Sequence, residues 1–159
     1  MDRRIAAPSS IDVKNALERL TTPLESTGFA LFESKQKALM FAASLGRFRG
    51  SREPLKQRDT GSAIRFEIFE TAMDDAYVFA LAIATTGELK VLDPSREEEV
   101  VTAFEEYAHG GLIEMNRQCF ESGLDPLDAL IYLTQEVQVP GMESIPGVDA
   151  DVLRDIMKG

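Results

Sequence analysis

Residues 38–46, Ala-Leu-Met-Phe-Ala-Ala-Ser-Leu-Gly, are apolar on nearly every side of a helix, with only Ser44 polar before Gly46. A helix of that kind is buried on most of its faces. Ser34 can cap its start by accepting from free backbone amides, and Gly46 is a natural stop. The spacing therefore predicts a core helix between Ser34 and Gly46, and other helices that cover it.

Upstream, Val13, Ala16, Leu17 and Leu20 recur on one face behind Ser9 and Ser10, which predicts an amphipathic helix over about 10–21. Pro23 and Gly28 interrupt it. Downstream, residues 76–84 (AYVFALAIA) form a second strongly apolar segment, opened by Asp74 and Asp75 at the positive end of the helix dipole and closed by Gly87. Asp93-Pro94 announces a long helix, because a proline in the first turn lacks only an N–H that would be unpaired there. Glu97, Glu98 and Glu99 suit that end, and Val101, Phe104, Ala108, Leu112, Met115 and Cys119 keep one face in register across Gly110-Gly111. Two glycines inside a helix cost roughly 1 kcal/mol each relative to alanine, which points to close packing or else to a break in the helix there. Asp125-Pro126 repeats the start signal, with Leu127, Leu130, Ile131, Thr134 and Val137 on one face.

Two segments are ambiguous. In residues 64–70, Ile64, Phe66 and Ile68 alternate as in a strand, while Ile64, Ile68 and Phe69 share a helical face. With no strong partner strand in view, helix is the expected form. Leu89, Val91 and Leu92 suggest one short β element near 88–92.

The chain has 159 residues, 44% of them hydrophobic, which suits one domain with a real core and excludes a wholly disordered polymer. The expected architecture is mainly α: a single-domain helical fold of five to six helices over residues 1–138, containing a basic loop at 46–63. A connector with Pro140, Gly141, Pro146 and Gly147 follows, and Val152, Leu153, Ile156 and Met157 make a short amphipathic helix within 139–159. No stretch approaches the roughly 20 apolar residues of a membrane span. A soluble cytoplasmic protein with no membrane partner is expected.

A net charge of −10 argues against a surface that coats nucleic acid all over, yet the charge is divided. Residues 1–65 carry 12 basic and 7 acidic groups, whereas residues 66–159 carry 5 basic and 20 acidic. That division suggests two faces with different partners. The basic side concentrates in Arg47, Arg49, Arg52, Lys56, Arg58 and Arg65, against only Glu53 and Asp59. Guanidinium forks match phosphate oxygens in geometry and charge, so these six residues are the candidate contact for nucleic acid or for an acidic partner. Phe48 can stack on an exposed base or pack against the core.

Glu105, Glu106 and His109 are the other candidates, expected to face a partner. Glu105 and His109 are four apart and can pair on a helix surface, whereas adjacent Glu105 and Glu106 point about 100° apart, a poor arrangement for acid/base catalysis. His109 and Cys119 are ten residues apart, about 15 Å along one helix, too far for direct proton transfer. A lone cysteine and a lone histidine cannot build a zinc site within one chain, and no phosphate-cradling glycine-lysine motif occurs. No cofactor, metal or catalytic residue is expected, and Cys119 should be core.

The segments KALMFAASLGRFRGSREPL (37–55), AIRFEIFE (63–70), VFALAIATTGELKVL (78–92) and FEEYAHGGL (104–112) together resemble the DNA phosphorothioation-associated protein 4 family, also called dnd system-associated protein 4. The resemblance covers about residues 1–135, and His109 stands where that family's block is expected to carry asparagine. It implies membership of bacterial systems that replace a non-bridging oxygen of a DNA phosphate with sulfur and restrict unmodified DNA. The resemblance implies no reaction for this component; with the basic loop, the expected role is a non-catalytic accessory protein that touches DNA, or a DNA-bound partner, through that loop. A protein adaptor without DNA contact is the alternative, and a nuclease-type enzyme a third.

Overall fold

The computed structural model describes residue 1, residues 3–8 and residues 10–136. They form β1 (Arg4–Pro8), α1 (Ile11–Leu20), α2 (Lys35–Arg49), β2 (Arg58–Arg65), α3 (Phe66–Thr71), α4 (Asp75–Thr86), α5 (Glu97–Asn116) and α6 (Pro126–Glu136). Six helices and one two-stranded antiparallel sheet make the fold mainly α, as the sequence predicts. The connector and terminal helix expected at 139–159 lie outside the described residues.

The centre of the molecule is the crossing of α2 and α5. A Cβ built on Gly111 would overlap the Ala42 carbonyl, and one on Gly46 would overlap the Tyr107 carbonyl, so the two backbones touch. The glycines in α5 are thus explained by close approach. Gly46 plays the same part in α2 and does not end it. The helix continues through Arg49 and closes at Gly50, whose φ of 66° is the left-handed conformation that glycine adopts freely.

Around this crossing the apolar face foreseen for α5 is buried throughout: Val101, Phe104, Ala108, Leu112 and Met115, then Cys119 in a π-helical turn, Arg117–Glu121, that widens the end of the helix. Phe104 meets Phe69 and Tyr77 edge-on, with ring centroids 5.7 and 6.3 Å apart. α4 contributes Val78, Leu81 and Ala82 to the core while Tyr77, Phe79 and Ile83 are partly covered, so it is less enclosed than its composition suggests.

The caps follow the sequence in part. Ser34 accepts from the Lys37 amide (3.2 Å), and Asp125 accepts from the Leu127 amide (2.9 Å). Asp93 accepts from Ser95 (2.9 Å), but the turn it starts, Pro94–Arg96, is a 3-10 turn that feeds α5 at Glu97. Ser10 occupies the cap of α1 without a side-chain bond. Asp74 turns away from α4 and receives the Gln36 amide and the Lys37 ammonium, each at 2.7 Å.

Three expectations need correction. The segment 46–63 is not one loop: it is the last turn of α2, an extended crossing, and the first part of β2. Residues 58–65 are a strand because a partner exists after all, the N-terminal Arg4–Pro8, while Phe66–Thr71 is helical as expected. The β element expected at 88–92 is a 3-10 turn over Leu89–Leu92 whose Val91 is fully buried. A strand there would have required a hydrogen-bonding neighbour, and the sheet contains only β1 and β2. No helix among the described residues is long and apolar enough to cross a membrane.

Candidate nucleic-acid interface

The basic segment is seated on α5 residue by residue. The Glu53 amide donates to the Glu106 carbonyl at 3.0 Å. His109 Nδ1–H donates to the carbonyls of Glu53 (3.1 Å) and Pro54 (3.2 Å), and because a carbonyl only accepts, the proton resides on Nδ1. A Cβ on Gly110 would overlap Ser51, so the crossing chain lies directly on the helix. His109 thus holds the segment down, where the sequence reading gave it to a partner or to Glu105.

The arginines divide into two groups. At the end of α2, Arg52 Nε pairs with Glu106 at 2.6 Å and its guanidinium lies 5.6 Å from the Tyr107 ring centroid. Arg47 approaches the same ring at 5.9 Å, is exposed, and reaches the Ala84 carbonyl at 3.4 Å. Arg49 is exposed; against the opposing effect of burial, hydrogen bonds from Arg117 and Gln118, then the charges of Arg117 and lastly Arg49, hold the Glu114 carboxyl below its usual range. Phe48 is 42% exposed beside them. Lys56 is exposed on the crossing chain.

The second group sits on the sheet. Pairing of β1 with β2 sets Arg4 directly opposite Arg65, with Ile5 opposite Ile64 turned toward the core. Like charges directly opposite one another in a sheet are destabilising. Arg3 pairs with Glu97 at 3.6 Å and Arg65 with Glu67 at 3.5 Å. No carboxylate among the described residues pairs with Arg4. Between Ile5↔Ile64 and Ala7↔Asp59 the register shifts, and residues 60–63 bow out opposite Ala6. The bow is tied by Asp59, whose carboxylate accepts from the Gly61 amide (3.2 Å) and the Ser62 hydroxyl (2.6 Å) and pairs with Lys14 at 3.2 Å. The Ser62 hydroxyl foremost, then Lys14, lowers the Asp59 carboxyl to about 2.

Under the bow lies a cleft of about 280 Å³ lined by Arg3, Arg4, Arg58, Thr60 and Glu98, the last of which lies in the field of Arg58. Glu98 also lines a neighbouring cleft with Arg52, so the two arginine groups stand on either side of one carboxylate.

Glu105 is not available to a partner. It is 3% exposed, accepts from the Ala6 amide (2.7 Å), and forms an ion pair with Arg58. Burial pushes its carboxyl above the usual range, while Arg58 and the Ala6 amide act against that; Glu105 in turn raises the Arg58 guanidinium. The reason sequence missed this is that Ala6 lies 99 residues away, with no periodic signal linking them. Arg3 and Arg4 were missed too. Their signal, two arginines before the apolar run Ile5-Ala6-Ala7, reads as a strand start only once the partner is known.

The structure thus joins the expected residues as Arg47, Arg49 and Arg52 at one end and Arg58 and Arg65 at the other. The segments that carry the sequence resemblance meet here: FAASLGRFRG crosses FEEYAHGGL, whose residues seat the basic chain. The sequence model of a family described as DNA sulphur modification system-associated protein 4 matches residues 9–144. The chain belongs to that family. No curated protein and no solved structure matches it. Membership of the sulphur modification family associates the chain with such a system, and makes components of that system its natural partners.

Proposed function

We propose that this member of the DNA sulphur modification system-associated protein 4 family is a non-catalytic accessory component that contacts the DNA backbone through its arginine surface, using the sheet group Arg3, Arg4, Arg58 and Arg65 together with Arg47, Arg49, Arg52 and Lys56. The observation that carries this reading is the Arg4↔Arg65 pairing: two like charges held opposite one another in a sheet, a repulsion that an anionic ligand relieves. Structural employment of Glu105, Glu106 and His109 supports a non-catalytic role, since each is committed to the chain's own arginines or backbone. The acidic remainder of the molecule opposes approach by other faces, so affinity rests on a few phosphates.

Fluorescence anisotropy with a short duplex at several salt concentrations tests the reading. Binding should weaken steeply as salt rises, and the paired substitution Arg4→Ala/Arg65→Ala should lower the salt slope by about one for each phosphate that is no longer neutralised. Arg47→Ala should lower it as well without breaking an internal ion pair. Unchanged binding by all of these variants across the salt series sinks the proposal.

A second reading, docking to a protein component of the system, is favoured by α6 and the turn before it, where Leu124, Ile131 and Tyr132 are 49, 46 and 60% exposed. Affinity purification from the source cells discriminates. An Ile131→Glu/Tyr132→Glu variant that loses a co-eluting component while retaining DNA binding supports docking there, and one that loses nothing removes it.

A further inference from the structure

The cleft beneath the bowed residues 60–63 has a mixed lining that plain phosphate recognition does not require. Arg3, Arg4 and Arg58 supply cations to its lining, and Ala6, Ala63 and Val101 supply methyl groups. An oxygen pressed against those methyls would give up hydrogen bonds to water and receive none in return. Sulfur is larger, more polarizable and a poorer hydrogen-bond acceptor, so it loses less on leaving water and gains more dispersion attraction from a methyl surface. The cations still satisfy the negative charge of the group. One water needs only about 10–15 Å³ of such space, so a cleft of about 280 Å³ has room for one backbone phosphate.

We infer that this cleft is a subsite for a single sulfur-substituted phosphodiester of DNA, with the non-bridging oxygen directed to Arg3 and Arg4 and the sulfur to Ala6, Ala63 and Val101. The inference rests on the DNA-contact reading and adds the chemical class of the phosphate to it. The internal tie between Arg58 and Glu105 keeps the Arg58 guanidinium in place before any ligand arrives, which reduces the ordering required on binding. A phosphorus with one sulfur and one oxygen is chiral, so holding the oxygen on the arginines and the sulfur on the methyls admits one of the two configurations.

The test compares the full chain binding three duplexes of one sequence: unmodified, and carrying one phosphorothioate in each of its two separated configurations. One configuration should bind about five- to tenfold more tightly than the unmodified duplex, the size of one avoided unsatisfied polar group. Ala63→Ser, which places a hydroxyl on the methyl wall, should narrow that ratio, with its thermal unfolding midpoint reporting that the fold persists. Salt-sensitive binding that is equal for all three duplexes overturns the sulfur subsite and leaves the DNA-contact reading standing. Absence of binding to any duplex overturns both. A preference that survives Ala63→Ser undiminished overturns the placement of sulfur in this cleft.

Discussion

At position 111 a methyl group has nowhere to go. Gly111→Ala drives a Cβ into the Ala42 carbonyl, and because the obstacle is backbone in a neighbouring helix, α2 and α5 have to separate. Overpacking of that kind costs about 1–3 kcal/mol or more, read as a lowered urea midpoint. Gly61→Ala is the control: its Cβ would lie 3.4 Å from the Asp59 side chain, and stability should stay within about 0.5 kcal/mol. Equal effects of the two substitutions would refute a backbone contact at the crossing. The same reasoning gives Gly46 its place, a residue that composition alone reads as a helix stop. Nothing in one sequence distinguishes a glycine that ends a helix from one that admits a neighbour.

The elements show where the sequence was legible. The apolar runs at 38–45 and 76–84 and the register from Val101 to Cys119 produce helices because a helix buries such runs with every backbone group paired internally, without reference to distant chain. The sheet is different. β2, RDTGSAIR, is rich in residues that strands avoid, and β1 is five residues ending in proline, so neither is stable alone. They form because each supplies the other's hydrogen bonds and Asp59 ties the bow between them. That tie is pH-dependent. The carboxyl of Asp59 lies near 3.8 when unconstrained and is lowered to about 2 by Ser62 and Lys14, so the folded state prefers it ionised. Its contribution is complete above the unconstrained value and disappears as pH falls through about 2. The stability difference between the parent and Asp59→Asn, from urea titrations at successive pH, should therefore be constant above about pH 5 and shrink toward zero in acid. A difference that stays level down to pH 2 would contradict the assignment. The candidate site was half legible for the same reason as the sheet: Arg58 and Arg65 were evident as charges, but their neighbours Arg3, Arg4 and Glu105 arrive from distant parts of the chain.

For the molecule as a whole, the division between a basic first part and an acidic remainder is partly neutralised within the fold. Arg3 meets Glu97, Lys37 meets Asp74, Arg52 meets Glu106 and Arg58 meets Glu105, so basic groups from residues 1–65 repeatedly close on acidic groups from beyond. What faces outward as cation is what that neutralisation leaves over, Arg4 and Arg47 foremost. Cys119 reports on the integrity of the whole. It is 1% exposed, and burial pushes its thiol up to about 11. A thiol reagent at pH 8 should label the native protein only as fast as the molecule opens, and adding urea should raise the rate in step with the unfolded population. Immediate labelling of native protein would mean that the π-helical turn is open to solvent.

The bond from Ala6 to Glu105 also sets a timetable for synthesis. At about 5–20 residues per second, a ribosome needs roughly 5–20 seconds to make the 99 residues between donor and acceptor. Until then the first strand has its neighbour β2 but not its carboxylate, and Arg3 and Arg4 are tethered to a nascent chain with no complete cleft to line. A truncation between Arg58 and the middle of α5 therefore removes the arginine cleft even though every arginine in it has already been translated.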